Sequence, residues 1–432
     1  MARVNQSDPV AAPLPARSAV RLVFDRQFGS LFWGKFIGVA GNWAHNVAAA
    51  IVVFDSTGSA TAVSIATAAQ YLPQVLLSPW TGAWADRGNE VFQMVLGRVL
   101  CALGSAILAV YFLFDRHDSG HVVTVIALAA SLITGVGFAV GGPSQHAVVT
   151  DLARPEELAT AITMNSLPMT TARIFGPVIA AVTLTQWGAA VTFGLSAAAN
   201  VVFVVLLLFA RFSFEKNPRH GSESFVDGLR YIRANTTLLV ALISVAAVGI
   251  ASEPAVTLAP SLAHELGGGA TLVGHMTLSF GVGGLVGILL MTSVARWART
   301  GVMASVGLVT MGVGLACAAM GHSVWLALFG FGLTGVGFSC GVADLNHVTQ
   351  VNTARSYLGR VMAMWMLAFI GTRPFSSPML GAMSDAWTAG VACVITAIGV
   401  GLVAIPHIVV TMRNLRRSPG RAKRTAPGNR VS

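Results

Sequence analysis

Apolar residues in this chain come in long unbroken runs separated by short polar breaks, and twelve such runs can be drawn. The first six cover Leu31 to Phe54, Ala60 to Ala83, Val91 to Phe114, Val122 to Val148, Leu158 to Leu184 and Ala189 to Ala210. The second six cover Leu238 to Leu262, Leu272 to Val294, Val302 to Gly321, Val324 to His347, Gly359 to Ala382 and Ala389 to Met412. Each is close to the roughly 20 residues with which an α-helix crosses a hydrocarbon layer. The runs are continuous and lack the two-residue alternation of a barrel strand, so they predict helices. The expected fold is all-α and membrane-integral, with six-helix bundles at 31–210 and 238–412. An N-terminal arm (1–30), a linker (211–237) and a basic tail (413–432) complete the chain. Phe225, Leu229 and Ile232 stand at helical spacing in the linker, predicting an amphipathic helix on the membrane surface.

Composition supports this class. Only 10% of the 432 residues are charged and 54% are hydrophobic, too few charges to cover a water-facing surface. The net charge of +10 follows from where the basic residues fall. With both termini inside, the inner loops hold most of the Lys and Arg and the outer loops only Arg116, as the retention of positive loops requires. This orientation makes anionic lipid, not nucleic acid, the partner of the tail, and places the chain in a cell membrane. The segment before Gly29 lacks the apolar core of a signal peptide, so the first helix is expected to act as its own targeting signal. Cys101, Cys317, Cys340 and Cys393 stand far apart, giving neither a metal site nor a disulfide framework. No phosphate loop, GxSxG elbow or HExxH helix occurs, so neither an enzyme nor a cofactor is expected.

Thr134-Gly135-Val136-Gly137-Phe138 returns 200 residues later as Thr334-Gly335-Val336-Gly337-Phe338, and Arg173-x-Phe175 returns as Arg373-x-Phe375. A duplicated helical bundle with a site between its halves is a common build of secondary transporters. Arg173 and Arg373 each fall near mid-depth of a predicted span, where hydrocarbon penalises charge and requires a partner or a watery cavity. Two readings stand: an anion-attracting pair facing a central cavity, or arginines each neutralised by a local acid or carbonyl. Asn42, His45 and Asn46 share one face of the first helix, and Gln145, His146 and Asn165 extend this polar set toward a substrate cavity. A packing role for His45 is the competing reading. Lys35 is expected to snorkel to the interface. Glu253, directly before Pro254, and Asp344 are the candidates for proton coupling, Asp344 also reading as an interfacial carboxylate. At a rigid 200-residue offset Asp86, Glu253 and Asp344 face Val286, Val53 and Ser144, so these carboxylates are unmatched in the other half.

The loop after the second helix reads Gly82-Ala83-Trp84-Ala85-Asp86-Arg87-Gly88-Asn89. It resembles the signature loop of the major facilitator superfamily. That resemblance implies two pseudo-symmetric halves and a conformational latch of Gly82, Asp86 and Arg87 against Gly359 and Arg360. Gly82 would allow close helix contact, and Asp86 would sit against a helix N-terminus. The family's two basic residues after the glycine are absent here, so the cationic part of the latch is weakened or is supplied by Arg98. Arg154-Pro155-Glu156-Glu157-Leu158, Asn165-Ser166, Arg173-x-Phe175-Gly176-Pro177 and Gly359-Arg360-Val361-Met362 resemble a narrower branch of siderophore exporters and macrolide efflux pumps. The resemblance implies export of a small organic molecule by alternating access, and Gly176-Pro177 agrees with proton antiport or with a simple Pro kink. Uptake symport in the same fold and a non-transporting sensor or lipid-handling scaffold are the alternatives, and the oligomeric state is left open.

Overall fold

The computed structural model describes residues 18–87, 89–114, 120–154, 156–210, 212, 225–294, 300–320, 323–354 and 357–417. A short α1 (Ala19–Val23) precedes α2 (Arg26–Thr57), α3 (Ala60–Arg87), α4 (Glu90–Phe114), α5 (Gly120–Leu152) and α6 (Leu158–Phe209). The linker forms α7 (Phe225–Ala234). Then come α8 (Thr236–Ala251), α9 (Pro254–Thr257), α10 (Ala259–Glu265), α11 (Ala270–Val294), α12 (Val302–Ala319), α13 (Val324–Val351), α14 (Leu358–Ile370), α15 (Arg373–Ala386) and α16 (Ala389–Arg417). The long α6 makes two crossings, because Gly188 at φ 81° reverses the chain in a conformation that only glycine adopts freely. With α8–α10 as one broken crossing and α14–α15 as another, twelve crossings result, as the apolar runs predict.

Among the described residues, nine helices are long and apolar enough to cross a membrane on hydropathy alone. The other three crossings are α3, the first limb of α6, and α14–α15, elements that run between the halves and carry polar groups inward. Lipid-facing positions are apolar, as Leu103, Val110, Leu208, Leu402 and Ile405 show by their exposure. Ends are set by side chains: Asp25 accepts from the Gln27 and Phe28 amides at the start of α2, and Asn235 from Thr237 and Leu238 at the start of α8. We call the end holding α1, α7 and the start of α2 the linker end, and the opposite one the far end.

The sequence repeat returns as repeated packing. A Cβ placed on Gly135 would lie 2.2 Å from the Gln70 carbonyl oxygen, and one on Gly335 2.0 Å from that of Phe280. Likewise Gly137 faces the Gly97 carbonyl at 2.5 Å and Gly337 that of Gly307 at 2.5 Å. Bare glycine backbone thus lets α5 sit on α3 and α4, and α13 on α11 and α12, at distances no side chain allows. These pairs also correct the rigid register. The offset is 335 − 135 = 200 for α5 and α13, but 280 − 70 = 210 and 307 − 97 = 210 for the helices they pack on. By that offset Asp86 stands opposite Arg296 rather than Val286.

Two crossings are broken where the sequence reading drew continuous helices. In the seventh, Ser252 and Glu253 interrupt α8 and α9 just before Pro254, whose ring cannot continue the ladder. In the eleventh, Gly371 and Thr372 separate α14 from α15 just before Arg373-Pro374. The linker helix packs on protein in part: Ile232 joins Leu238, Val361 and Met364, and Tyr231 stacks on Tyr357 at 4.3 Å, while Leu229 is exposed.

Replacing Gly335 with Ala is expected to destabilise the protein by about 1–3 kcal/mol through backbone overpacking. Gly399→Ala, on α16 with no atom within 4 Å of an added Cβ, is expected to be neutral. Thermal unfolding of the two purified variants in detergent checks the contrast.

Candidate functional site

The broken crossings meet at an ion pair. Arg373 at the start of α15 holds its Nε 3.2 Å from Glu253 Oε1, with side chains 8% and 2% exposed. The remaining donors are divided: Nη2 donates to Ser252 Oγ at 3.1 Å and Nη1 to Tyr71 Oη at 2.8 Å. Ser377, one turn along α15, donates to Glu253 Oε2 at 2.5 Å. The guanidinium also lies over the rings of Tyr71 at 4.9 Å and Phe369 at 5.2 Å. Tyr71 belongs to α3, so one donor of this C-terminal pair reaches across to the other half. The cost of burying both charges is met by mutual attraction and by hydrogen bonds to their remaining atoms. A small crevice beside the pair is lined by Trp43, Pro177, Ser252, Thr277, Phe280 and Arg373, residues from both halves.

The expectation for Arg373 therefore resolves into the neutralised reading, and Glu253 is its partner. Arg173 lies within α6, but its side chain is outside the described residues, as is that of His146. Asn42 and His45 correct the cavity expectation. Asn42 accepts from Asn200 at 3.0 Å, and His45 Nδ1 lies 3.0 Å from Ser105 Oγ with its ring against Phe193, all inside the N-terminal half. Asn42 thus holds α2 to the second limb of α6, and His45 holds it to α4 and to that same limb. Asn46 is half-buried, its Oδ1 without a partner among the described residues. Gln145 is buried on α5. Asn165 and Lys35 bond each other: Nζ donates to the Asn165 carbonyl at 3.0 Å and to Oδ1 at 2.9 Å. Lys35 is 9% exposed, so it does not snorkel. Asp344 accepts from the Ala304 amide at 2.8 Å, where it caps the first turn of α12 near the linker end.

Of the linker-end latch, Asp86 and Arg87 have side chains outside the described residues. Among the described residues no atom lies within 4 Å of a Cβ added at Gly82 or at Gly359. Arg360 lies over Tyr357 at 4.9 Å, beside Gly228 of α7. Arg98 cannot serve this loop: it is 3% exposed, enclosed by Phe138 and Phe203.

The halves grip one another at the far end. Asp385 at the end of α15 accepts from Ser59 Oγ at 2.6 Å and from the Ala60 and Thr61 amides at 2.7 and 2.9 Å. A carboxylate of one half thus caps the N-terminus of α3 in the other, where helix dipole and free amides favour negative charge. Beneath it a Cβ on Gly381 would lie 2.1 Å from Ser64 Oγ, and one on Gly274 2.2 Å from the Ala181 methyl. Ala181 belongs to the Gly176-Pro177 segment singled out in the sequence. Sequence reasoning missed Tyr71, Ser252, Ser377 and Asp385. No local pattern joins Asp385 to Ser59, 326 residues away. Among the described residues no group of three His, Cys, Asp or Glu could hold a metal ion.

Comparison with solved structures gives the same arrangement of helices. A bacterial homologue of the human lysosomal transporter Spinster, crystallised in an inward-facing and unoccupied conformation, superposes with a TM-score of 0.73. It is 14% identical, covering 93% of this chain and 99% of its own. A POT family transporter in complex with 5-aminolevulinic acid gives a TM-score of 0.69 at 14% identity, covering 89% and 96%. In sequence, the chain is 23% identical over 387 residues to the staphyloferrin A transporter of Staphylococcus aureus, covering 87% of this chain and 94% of that protein. It is also 23% identical over 425 residues to the enterobactin exporter EntS of Shigella flexneri, covering 91% and 94%. Residues 21–431 match the family model described as transmembrane secretion effector. Twelve crossings in two repeated halves, joined at a buried ion pair and covered almost end to end by that match, make this chain a member of the transmembrane secretion effector family of major facilitator transporters.

Proposed function

We propose that the protein exports a small organic molecule of the siderophore or drug type from the cell by proton antiport, with Glu253 as the proton-binding group. The observation that carries this reading is the Glu253–Arg373 pair, buried at the breaks of two crossings and held by Tyr71 of the other half. Broken helices at mid-membrane are where transporters of many folds bind substrate and coupling ions. The linker end faces the cytoplasm in a cell membrane, as its basic residues favour. The grip of Asp385 on α3 then closes the outer side, and the substrate enters from the cytoplasm toward Trp43, Asn46, Ser252 and Arg373. Asp86 and Arg87 close the opposite side when the halves rock, with Asp344 keeping the start of α12 in place.

Antiport requires that proton and substrate exclude one another. The Glu253 carboxylate can hold a proton, or a hydroxyl or ammonium donor of a substrate, but not both. The same pair allows a second reading. A purely anionic substrate that displaced Glu253 from Arg373 would leave a carboxyl group that binds a proton, so proton and substrate would load together, the logic of uptake symport.

Inverted membrane vesicles with an acid interior decide between them. Antiport predicts accumulation of a catecholate or hydroxycarboxylate siderophore that collapses when the pH gradient is dissipated. Accumulation driven only by the opposite gradient sinks the antiport reading. Glu253→Gln is expected to keep downhill exchange while losing at least about tenfold of the gradient-driven rate, taking a general acid–base group as worth about that or more. Asp385→Ala removes a helix cap worth about 1–2 kcal/mol, so the closed far end should open roughly five- to thirty-fold more often. Alkylation of Ser64→Cys, buried beneath Gly381, by an impermeant maleimide added from outside would rise accordingly. An unchanged rate would remove Asp385 from the closure.

A further inference from the structure

Tyr71 brings the N-terminal half to the buried ion pair. Its Oη accepts from Arg373 Nη1 at 2.8 Å, and the guanidinium lies 4.9 Å from the centre of its ring. The pair's bonds to Ser252 and Ser377 stay within the C-terminal half. At the 210-residue offset that relates α3 to α11, the place of Tyr71 is taken by Gly281, so the phenol is not part of the packing that the two halves share. The charged and titratable side chains described at this centre are Glu253, Arg373 and Tyr71. The crevice beside it receives Trp43 from α2, Pro177 from α6, and Thr277 and Phe280 from α11, none of which titrates.

The Tyr71–Arg373 bond is one end of a seam between α3 and α15. Tyr71 and Ser64 are 71 − 64 = 7 residues apart, and Arg373 and Gly381 are 381 − 373 = 8 apart, spacings that put each pair on one face of its helix. Along those faces the helices run antiparallel. Arg373 meets Tyr71, a Cβ on Gly381 would lie 2.1 Å from Ser64 Oγ, and Asp385 caps α3 at Ala60 and Thr61. Seven residues of helix are only about 10 Å, so a tilt that lifts α3 off Gly381 and Asp385 also draws Tyr71 from Arg373. A shift of about 1 Å takes a 2.8 Å contact out of hydrogen-bonding range.

How much that bond matters depends on Glu253. While Glu253 is ionised it meets the charge of Arg373, and Tyr71 supplies one acceptor among several. Once Glu253 is neutral, the described contacts of the buried guanidinium are uncharged oxygens and the rings of Tyr71 and Phe369. A buried charge without its partner is costly, so the oxygen and ring of Tyr71 then carry a larger share of its compensation. Separating α3 from α15 becomes harder in consequence.

We infer that Tyr71 is a positioning residue that acts through Arg373, making closure of the far end tighter when Glu253 is neutral and looser when it is ionised. The inference rests on the reading that Glu253 gains and loses a proton during transport. A proton taken up from the far end then closes the path by which it came.

The test reads far-end opening in the full-length protein in membranes, as the rate at which an impermeant maleimide added from the outer side alkylates Ser64→Cys, above the rate of the parent chain with its own cysteines alone. With Tyr71 present, Glu253→Gln, which imitates the neutral carboxyl group, should lower that rate at least about threefold, the smallest coupling expected of residues in one network. With Tyr71→Phe, which keeps the ring and removes the acceptor, the same replacement should leave the rate nearly unchanged. A merely structural effect of Tyr71→Phe shifts the rate with and without Glu253→Gln alike, and the cycle cancels it. If Tyr71→Phe does not accumulate, Tyr71→Leu takes its place. A fall by the same factor in both backgrounds, no change in either, or a rise where Tyr71 is present overturns the role. The labelling needs neither substrate nor pH gradient, so its outcome is separate from that of the vesicle experiment on antiport.

Discussion

Hydrocarbon does not solvate a guanidinium, so an arginine held at mid-membrane must find its compensation within the protein. Arg373 finds it in Glu253, and much of the architecture follows from keeping those two groups together. Each stands at a helix break, because continuous helices would spend the neighbouring backbone on their own ladders. Pro254 and Pro374 secure those breaks chemically, since neither ring can donate to the preceding turn. Ser377 and Ser252 then satisfy the atoms that the ion pair leaves over.

The pair is also a joint. Two of its three hydrogen-bond partners, Ser252 and Ser377, lie in the C-terminal half, and the third, Tyr71, lies on α3 of the other. From Tyr71 toward the far end, α3 runs along α15 to Ser64 under Gly381 and to the cap made by Asp385. The contacts at the far end and the ion pair at mid-membrane thereby lie along one helix pair, α3 and α15. Alternating access needs such a two-state contact, strong when made and replaceable when broken. The glycine pairs act within each half: they hold α5 and α13 tightly on their neighbours.

How legible was this in the sequence? The twelve crossings were readable because apolar length is dictated by the bilayer, a constraint that acts on every run separately. The repeat was readable because glycine backbone contact tolerates no substitute, so Gly135 and Gly335 kept the same neighbours on both sides. Arg373 and Glu253 stood out individually, since a charge within an apolar run is conspicuous. Their pairing did not, because 120 residues separate them and only the packing of two crossings brings them together. Asn42 and His45 misled for a related reason. Polar residues on one helix face meet either a cavity or polar residues of a neighbour, and the periodicity is the same in both cases. Asp385 was invisible because its meaning lies in backbone amides of the opposite half, which leave no mark in side-chain sequence.

The most direct test of the central claim is the stability of single and double replacements at the ion pair. Thermal unfolding of Glu253→Leu, Arg373→Met and the double variant, each purified in the same detergent, measures whether the two charges depend on one another. Each single change should destabilise strongly, by about 3–5 kcal/mol, because it strands a buried charge. The double variant should recover most of that loss while remaining unable to transport. A double variant as unstable as the sum of the singles would contradict the account, since the two residues would then be acting independently.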